Sequence, residues 1–325
     1  MGQLLIIATG LQQRATGGVT MHVHRLLKTL IEPYVLNYNI CDYKKESFFC
    51  QLKKIRKANV LHMHVSNPCL KLFYVIACHA LGTKSIITVH GKYGIYKPFM
   101  NFIHKTALKW CDMPVLINKE SYDAVSLFNE KAVYIPAFLP PIIEEEKLDP
   151  EMEQNIREIK KEGKTLFVTN ASNRSFTEDK KEIYGIDFLI EYFRKHKEYN
   201  LVILDPNSSY KETIERIKPD NVWLYTGQHS FCGLIQLSDV VIRNTCTDGD
   251  SFSVKEALYL HKPILCTDVV SRPEGVSLFH YNDEESLNRG ILEVISVKKE
   301  INLIGESAMA LYREMYSGLG IEIQH

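Results

Sequence analysis

The 325-residue sequence lacks any net charge: 39 Lys and Arg offset 39 Asp and Glu. None of its eight cysteines, at 41, 50, 69, 78, 111, 232, 246 and 266, forms a Cys-x-x-Cys pair. A zinc ribbon or dithiol redox centre is therefore not expected. Several cysteines sit in apolar stretches, where the free thiol behaves as a small hydrophobe and suits a reducing cytoplasm. No hydrophobic run reaches bilayer length. The longest, around Leu70 to Leu81, is interrupted by Lys71 and His79. The opening run Leu4–Ala8 has no basic region before it and is too short for a signal-peptide core. Met1-Gly2 would suit myristoylation, but Ile6 stands where that pattern needs Ser or Thr. Low-complexity tracts and short-period repeats are missing too. With 45% hydrophobic and 24% charged residues, disorder is excluded, and the length suits two domains of roughly 150 residues each.

The zero charge is an average over two unlike halves. Residues 1–143 carry 17 cationic and 7 anionic side chains, and residues 144–325 carry 22 and 32, giving +10 and −10. The step falls at Glu144-Glu145-Glu146. Halves of opposite sign imply different partners for each.

Short apolar runs alternate with helical patterns. Leu4–Ala8, Val60–Val65, Ser85–Val89, Pro114–Ile117 and Val133–Ile135 read as strands. Val19–Leu30, Pro68–Leu81 and Phe99–Trp110 read as helices. Prolines 136, 140, 141 and 150 then break the rhythm. It restarts with strands at Thr165–Thr169, Leu201–Leu204, Val222–Tyr225, Val240–Ile242 and Pro263–Thr267. The helices expected between and after them are Gly185–His196, Tyr210–Ile217, Cys232–Leu237, Val254–Leu260, Glu284–Val297 and Ile301–Met315. This predicts an α/β fold with two doubly wound, Rossmann-like domains facing a cleft. The expected boundaries are 1–143, a linker with a leading helix at 144–164, and 165–325, with the last helix free to return onto the first domain.

Three loops at strand ends are candidates for chemistry. Gly17-Gly18 precedes a helix, where backbone amides can approach an anion. It is no dinucleotide fingerprint, because no Gly-x-Gly-x-x-Gly follows the first strand. His90, in Thr88-Val89-His90-Gly91, ends a strand and can donate a hydrogen bond or relay a proton. His62 and His64 share one strand face, but spacing suggests no third metal ligand, and packing with hydrogen bonding is the favoured reading. His22 and His24 sit two apart on a helix and do not share a face. The richest tract is Ile242 to Leu258. Gly249, Ser251 and Ser253 place small side chains and amides at a helix start, which suits a diphosphate. Glu256, one turn on, can accept two hydrogen bonds from a ribose diol. An N-cap by Ser251 or Ser253 is the plainer alternative.

These residues resemble the GT-B glycosyltransferases of the large retaining family 4, the glycosyl transferases group 1. The likeness runs over nearly the whole chain, through Gly17-Gly18, Val60 to His64, Thr88 to Gly91, Ala171 to Leu189 and Asp248 to Leu258. The family's Glu-x7-Glu signature reads Asp248-x7-Glu256 here. The resemblance implies that Glu256 holds the nucleotide ribose, and that Asp248, Gly249, Asp250, Ser251 and Phe252 contact the donor sugar and diphosphate. It implies that Arg174 binds phosphate, that His90 and Asp248 lie at the reacting sugar, and that Gly17 and Gly18 approach phosphate or acceptor. Tyr184 stands where the family has a phosphate-binding Lys, with Lys180 or Lys181 as substitutes. The implied activity is a hexosyltransferase-type, retaining transfer from a UDP-, GDP- or dTDP-sugar to a glycan or polyprenyl-diphosphate-linked acceptor in surface polysaccharide synthesis. No metal and no cofactor is expected. A nucleotide-sugar 2-epimerase of the same fold, or a non-catalytic glycan-binding protein, are the alternatives.

The basic half suggests a second partner. Lys53-Lys54-Ile55-Arg56-Lys57 and the Lys97 to Trp110 segment mix cations with aromatics, as surfaces that bind anionic headgroups do. The aromatics follow helical rather than stacking-platform patterns, so nucleic acid is not expected. A cytoplasmic chain, peripheral at the inner membrane face, is the resulting expectation.

Overall fold

The structure, a computed structural model, describes residues 2–10, 18–217, 219–248, 251–296 and 306–324. The chain divides into two compact units, one formed by 1–140 with 305–325 and the other by 141–304. The division falls at Pro140-Pro141, and the final segment belongs to the first unit. The sequence pattern placed 165–325 in the second domain but left the last helix free to return to the first, and the final segment groups with the first.

In the first unit, β1 (Leu4–Ala8) leads to α1 (Gly18–Leu26). A wider-wound π segment, Leu27–Ile31, and the short α2 (Glu32–Tyr34) continue it. Then come β2 (Tyr38–Asp42), α3 (Phe48–Lys57), β3 (Val60–Met63), α4 (Pro68–Leu81), β4 (Lys84–Val89), α5 (Pro98–Trp110), β5 (Met113–Leu116), α6 (Lys119–Ser126) and β6 (Val133–Tyr134). The six strands pair in parallel in the order β2-β1-β3-β4-β5-β6. Alternating side chains part to the two faces, as a period of two requires. Leu4, Ile6, Val60, Ile86 and Val115 meet Val23, Leu26 and Leu30 of the first helical stretch, and Tyr312 and Tyr316. Leu5, Ile7, Leu61, Met63 and Ile87 meet Ile55, Val75, Cys78, Ala107 and Leu108 of α3, α4 and α5.

The second unit opens with α7 (Pro150–Lys161), capped by Asp149, whose carboxylate accepts from the Met152 amide at 3.0 Å. It continues with β7 (Thr165–Asn170), α8 (Ile186–Lys195), β8 (Tyr199–Asp205), α9 (Lys211–Ile217), β9 (Val222–Thr226) and α10 (Phe231–Leu237). The remaining elements are β10 (Val240–Arg243), α11 (Phe252–Tyr259), β11 (Ile264–Thr267), β12 (Ser277–Phe279) and α12 (Glu284–Ser296). The sheet order is β12-β11-β10-β7-β8-β9, again parallel. Phe167, Leu201, Ile203 and Ile242 pack on α8 and α12. Leu166, Val168, Val202 and Val241 pack on α7, α10 and α11. The last helix, α13 (Glu306–Gly318), returns to the first unit. Residues 297–305, where its expected start falls, lie outside the described residues.

Two strands escape the apolar-run pattern. β2 buries only Cys41 and Asp42, and β12 is three residues long. Among the described residues no helix is long and apolar enough to cross a membrane.

Candidate functional site

The second sheet reverses its winding between β7 and β10. From β7 the chain steps outward through β8 and β9, then returns to β10 on the other side. Loops leaving the two central strands part in opposite directions there and open a crevice at the strand carboxyl ends. A cavity of about 300 Å³ occupies this place. Its lining is Asn170 at the end of β7, Ser172, Tyr184, Arg243 at the end of β10, Asp248, and Ser251, Phe252 and Ser253 at the start of α11.

Among the described lining residues, Arg243 is the cation. Asp248 grips it in bidentate fashion, Nε to Oδ2 at 2.7 Å and Nη2 to Oδ1 at 2.8 Å. Arg272, in the loop after β11, donates to Asp248 Oδ2 at 2.7 Å and to the Thr267 carbonyl at 3.1 Å. Burial pushes the Asp248 carboxyl up, but the hydrogen bonds and charges of Arg243 and Arg272 outweigh it and hold the group below the usual carboxylate range. Burial likewise opposes the Arg243 charge, and Asp248 more than restores it. Two guanidiniums share this one carboxylate at the cavity wall. Arg243 also lies 5.8 Å from the centre of the Tyr184 ring, and its Nη1 is 3.3 Å from Ser253 Oγ.

Ser251 occupies the N-cap position of α11, yet its side chain caps no amide. Its hydroxyl instead meets Ser253 Oγ at 2.9 Å. The capping alternative thus fails at the side chain. A helix start carries partial positive charge and attracts anions.

The loop after β7 is fixed by its own bonds. Tyr184 and Ser172 hydroxyls meet at 2.9 Å, and Asn207 Nδ2 donates to the Ser172 carbonyl at 2.6 Å. Gly185, at φ 53°, begins α8 in the left-handed region. A Cβ there would come within 2.3 Å of Asn244 Nδ2, which donates to the Gly185 carbonyl. Glycine lets the loops after β7 and β10 meet.

Of the residues singled out by sequence, Asp248, Ser251, Phe252 and Ser253 line the cavity, as does Tyr184. Asp248 is there as the clamp of two arginines. Arg174 is not in the lining. It pairs with Asp187 of α8, and its guanidinium lies 5.7 Å from the Phe176 ring centre. Lys181 pairs with Asp179 at the surface, and neither it nor Lys180 lines the cavity. Glu256 is buried within α11 and does not line it either. Gly249 and Asp250 lie outside the described residues, as does Gly17. Gly18 begins α1 in open space. Arg243 and Arg272 were missed as site residues. A cation directly at a strand's carboxyl end, Ile242-Arg243-Asn244, was the available signal for the first.

The first unit gathers histidines at the ends of β3 and β4. His62 lies between Tyr316 OH at 2.6 Å and Thr88 Oγ1 at 2.7 Å. His64 Nδ1 meets His90 Nε2 at 2.9 Å, and His64 Nε2 is buried without a hydrogen-bond partner. His22 joins them from α1, bonded to the Ala137 carbonyl at 2.7 Å and Tyr312 OH at 3.1 Å. Burial lowers His22 to about 4 and His62 to about 3, and holds His64 and His90 well below the imidazole range. At neutral pH the cluster is uncharged. His90, partly exposed at the strand end, offers a neutral hydrogen-bonding edge. Among the described residues no group of three or more His, Cys, Asp and Glu is arranged to hold a metal ion.

No family model matches the sequence, and no curated protein is similar to it in sequence. Solved structures are similar in fold. Anabaena HepE in complex with UDP and glucose superposes with a TM-score of 0.61 at 12% identity, over 97% of this chain and 95% of that one. The fold is GT-B. UDP-GlcNAc 2-epimerase from Methanocaldococcus jannaschii gives 0.58 at 10% identity, over 98% of this chain and 100% of that one. The lipopolysaccharide outer core galactosyltransferase WaaB gives 0.53 at 12%, over 98% and 96%.

Proposed function

We propose that this GT-B chain transfers a hexosyl group from a nucleotide sugar to a glycan acceptor, carried on a polyprenyl diphosphate, in surface polysaccharide synthesis. The observation that carries the reading is Arg243 beside a polar cavity at the winding reversal of the second sheet, facing the start of α11. A leaving diphosphate needs fixed positive charge, and pre-placed donors stabilise it without reorganisation. Arg243 supplies that charge, held in place by Asp248. The Ser251 and Ser253 hydroxyls and the α11 start supply neutral donors. In this reading Asp248 positions Arg243 rather than touching the sugar. Glu256 is assigned to the ribose and His90, as a neutral donor, to the reacting sugar. Transfer with retention is the expected outcome. HepE, crystallised with UDP and glucose, and WaaB, a lipopolysaccharide galactosyltransferase, support a sugar nucleotide and a surface glycan.

The experiment is a thermal-shift series with UDP-, GDP- and dTDP-sugars on wild type and Arg243→Gln. A ligand that binds only the folded state raises Tm. One of the three families of donor is expected to do so, and Arg243→Gln to remove the rise. A full rise in the variant refutes the site. No rise with any donor in wild type favours a non-catalytic glycan-binding protein.

The similarity to a 2-epimerase over the whole chain supports one further reading. An epimerase consumes the nucleotide sugar without any acceptor. Release of epimerised sugar in acceptor-free reactions would decide for it.

A further inference from the structure

Between Glu46 and Asp112 the chain has no acidic residue at all. These 65 residues hold ten Lys and Arg, where the chain's own frequency of Asp and Glu would place about eight acids. The fold brings three helices of this stretch together: α3, α4 and α5 share one face of the first sheet. Their inner sides are apolar and buried. Their outer sides are not what a solvent-facing layer normally carries.

Phe49, Phe99 and Phe102 are 82%, 72% and 68% exposed. Ile95, Ile76, Phe48 and Trp110 are also open to solvent, and the Phe48 ring packs 5.1 Å from that of Phe73 on α4. Single exposed apolar residues are ordinary, but a shared patch of large ones marks a contact surface. In a parallel sheet each helix starts at the carboxyl end of the preceding strand. Phe48 and Phe49 open α3, and Phe99 and Phe102 stand in the first turns of α5. These four phenylalanines therefore lie toward the end of the sheet at which His64 and His90 stand, whereas Trp110 closes α5 at the other end. Lys53, Arg56 and Lys57 follow on α3, and Lys105 and Lys109 on α5, all exposed. Lys54 is turned inward to Glu46, at 2.7 Å, and Lys71 is buried.

We propose that the outer faces of α3, α4 and α5 form a docking surface for a bilayer of anionic phospholipid. The exposed phenylalanines enter the headgroup boundary, and the five cations flank them against lipid phosphates. Charge selects the occupant: an acid-free face has nothing to pair with a cationic partner. The surface stands on its own observations. Its use, to meet a lipid-carried acceptor, rests on the proposed transfer.

The test is flotation of the full chain with phosphatidylcholine vesicles, with and without phosphatidylglycerol. Binding is expected only with the anionic lipid and is expected to weaken as salt rises. Each alanine among Lys53, Lys57, Lys105 and Lys109 lowers partitioning about fivefold, so the fourfold variant stays at the bottom of the gradient. Phe99→Ser with Phe102→Ser removes the part of binding that resists salt. All six side chains are exposed, so these variants keep the wild-type Tm and its response to nucleotide sugar. Equal binding to both vesicle types, no binding, or dimerisation through this face by sedimentation velocity overturns the proposal. Loss of the nucleotide response in wild type would instead sink the transfer reading and leave the surface standing.

Discussion

Acidification should weaken the first unit selectively. His22 and His62 titrate at about 4 and about 3 in the folded chain, against about 6.5 when unfolded. Both pKa values are lowered, so between these limits the unfolded chain binds more protons than the folded one. Their stabilising effect is complete above pH 6.5 and is lost as pH falls toward 4. Linkage puts the loss from pH 7 to pH 5 at roughly 2 kcal/mol for each histidine. The two together approach about 4 kcal/mol, against a typical domain stability of roughly 5–15 kcal/mol. Other imidazoles and the Arg25 and Lys71 cations shift the clustered histidines further down, and Tyr312 and Tyr316, whose hydroxyls burial pushes up, bond to His22 and His62. No carboxylate is among the groups shifting these four imidazoles; the Ala137 carbonyl favours the charged form of His22, but burial outweighs it. With a urea slope of roughly 2 kcal/mol/M, the midpoint should drop by about 2 M. The chain's two tryptophans make the assay specific, since Trp110 lies in the first unit and Trp223 in the second. Single-tryptophan variants then report the units separately. His62→Gln should remove about half of the shift. A Trp110 midpoint unchanged between pH 7 and pH 5, or an equal drop reported by Trp223, would refute a buried neutral cluster.

Other outcomes follow from the second unit. Asp248→Ala strands two nearly buried guanidiniums and should destabilise that unit by about 3–5 kcal/mol, read as the Trp223 transition in urea. Gly185→Ala forces a Cβ onto Asn244 at a positive φ, and should lower the same transition by roughly 2 kcal/mol or more. Arg243→Gln removes a charged hydrogen-bond donor and should weaken nucleotide-sugar binding about 10- to 100-fold by calorimetry. Arg174→Ala, whose guanidinium already faces Asp187, should change it less than about threefold.

The two-sheet architecture was legible because parallel strands buried on both faces are written as short continuous apolar runs. Pro68–Leu81 is a helix over those residues, since Asn67 caps its start and Gly82, at φ 72°, ends it. β2 was not legible, because Tyr38 and Asn39 give an edge strand no apolar run. The return of the last helix to the first unit was anticipated as an option, but the contacts it makes there were not legible. Tyr312 and Tyr316 look like any amphipathic stripe, and only the fold shows that their hydroxyls meet His22 and His62.

The place of the cavity was legible, but the arginine cluster at its wall was not. The tract from Ile242 to Leu258 does border the cavity, because a strand end, a polar loop and a helix start are written consecutively. The choice of cation is different in kind. Arg174 lies in the loop after β7 and Arg243 ends β10, so both are arginines near polar loops at strand ends. What separates them is the location of the opposing carboxylate. Asp187 sits in the first turn of α8, so it draws Arg174 onto the helix flank. Asp248 sits five residues after Arg243 in the same loop and fixes it at the cavity wall. Arg272, from a third strand end, holds that carboxylate from the other side. Each pairing depends on how its own loop folds, and the Arg272 contact on a second loop, so spacing along the chain does not decide between the two arginines. The same geometry explains how Tyr184 can stand where a cation was expected. Its ring lies against Arg243, so the positive charge enters from β10 instead of from the start of α8. A Tyr184→Lys variant would place a second cation beside the first. It should weaken the Arg243–Asp248 clamp rather than improve donor binding, and tighter donor binding by calorimetry would show that Arg243 does not fill that role.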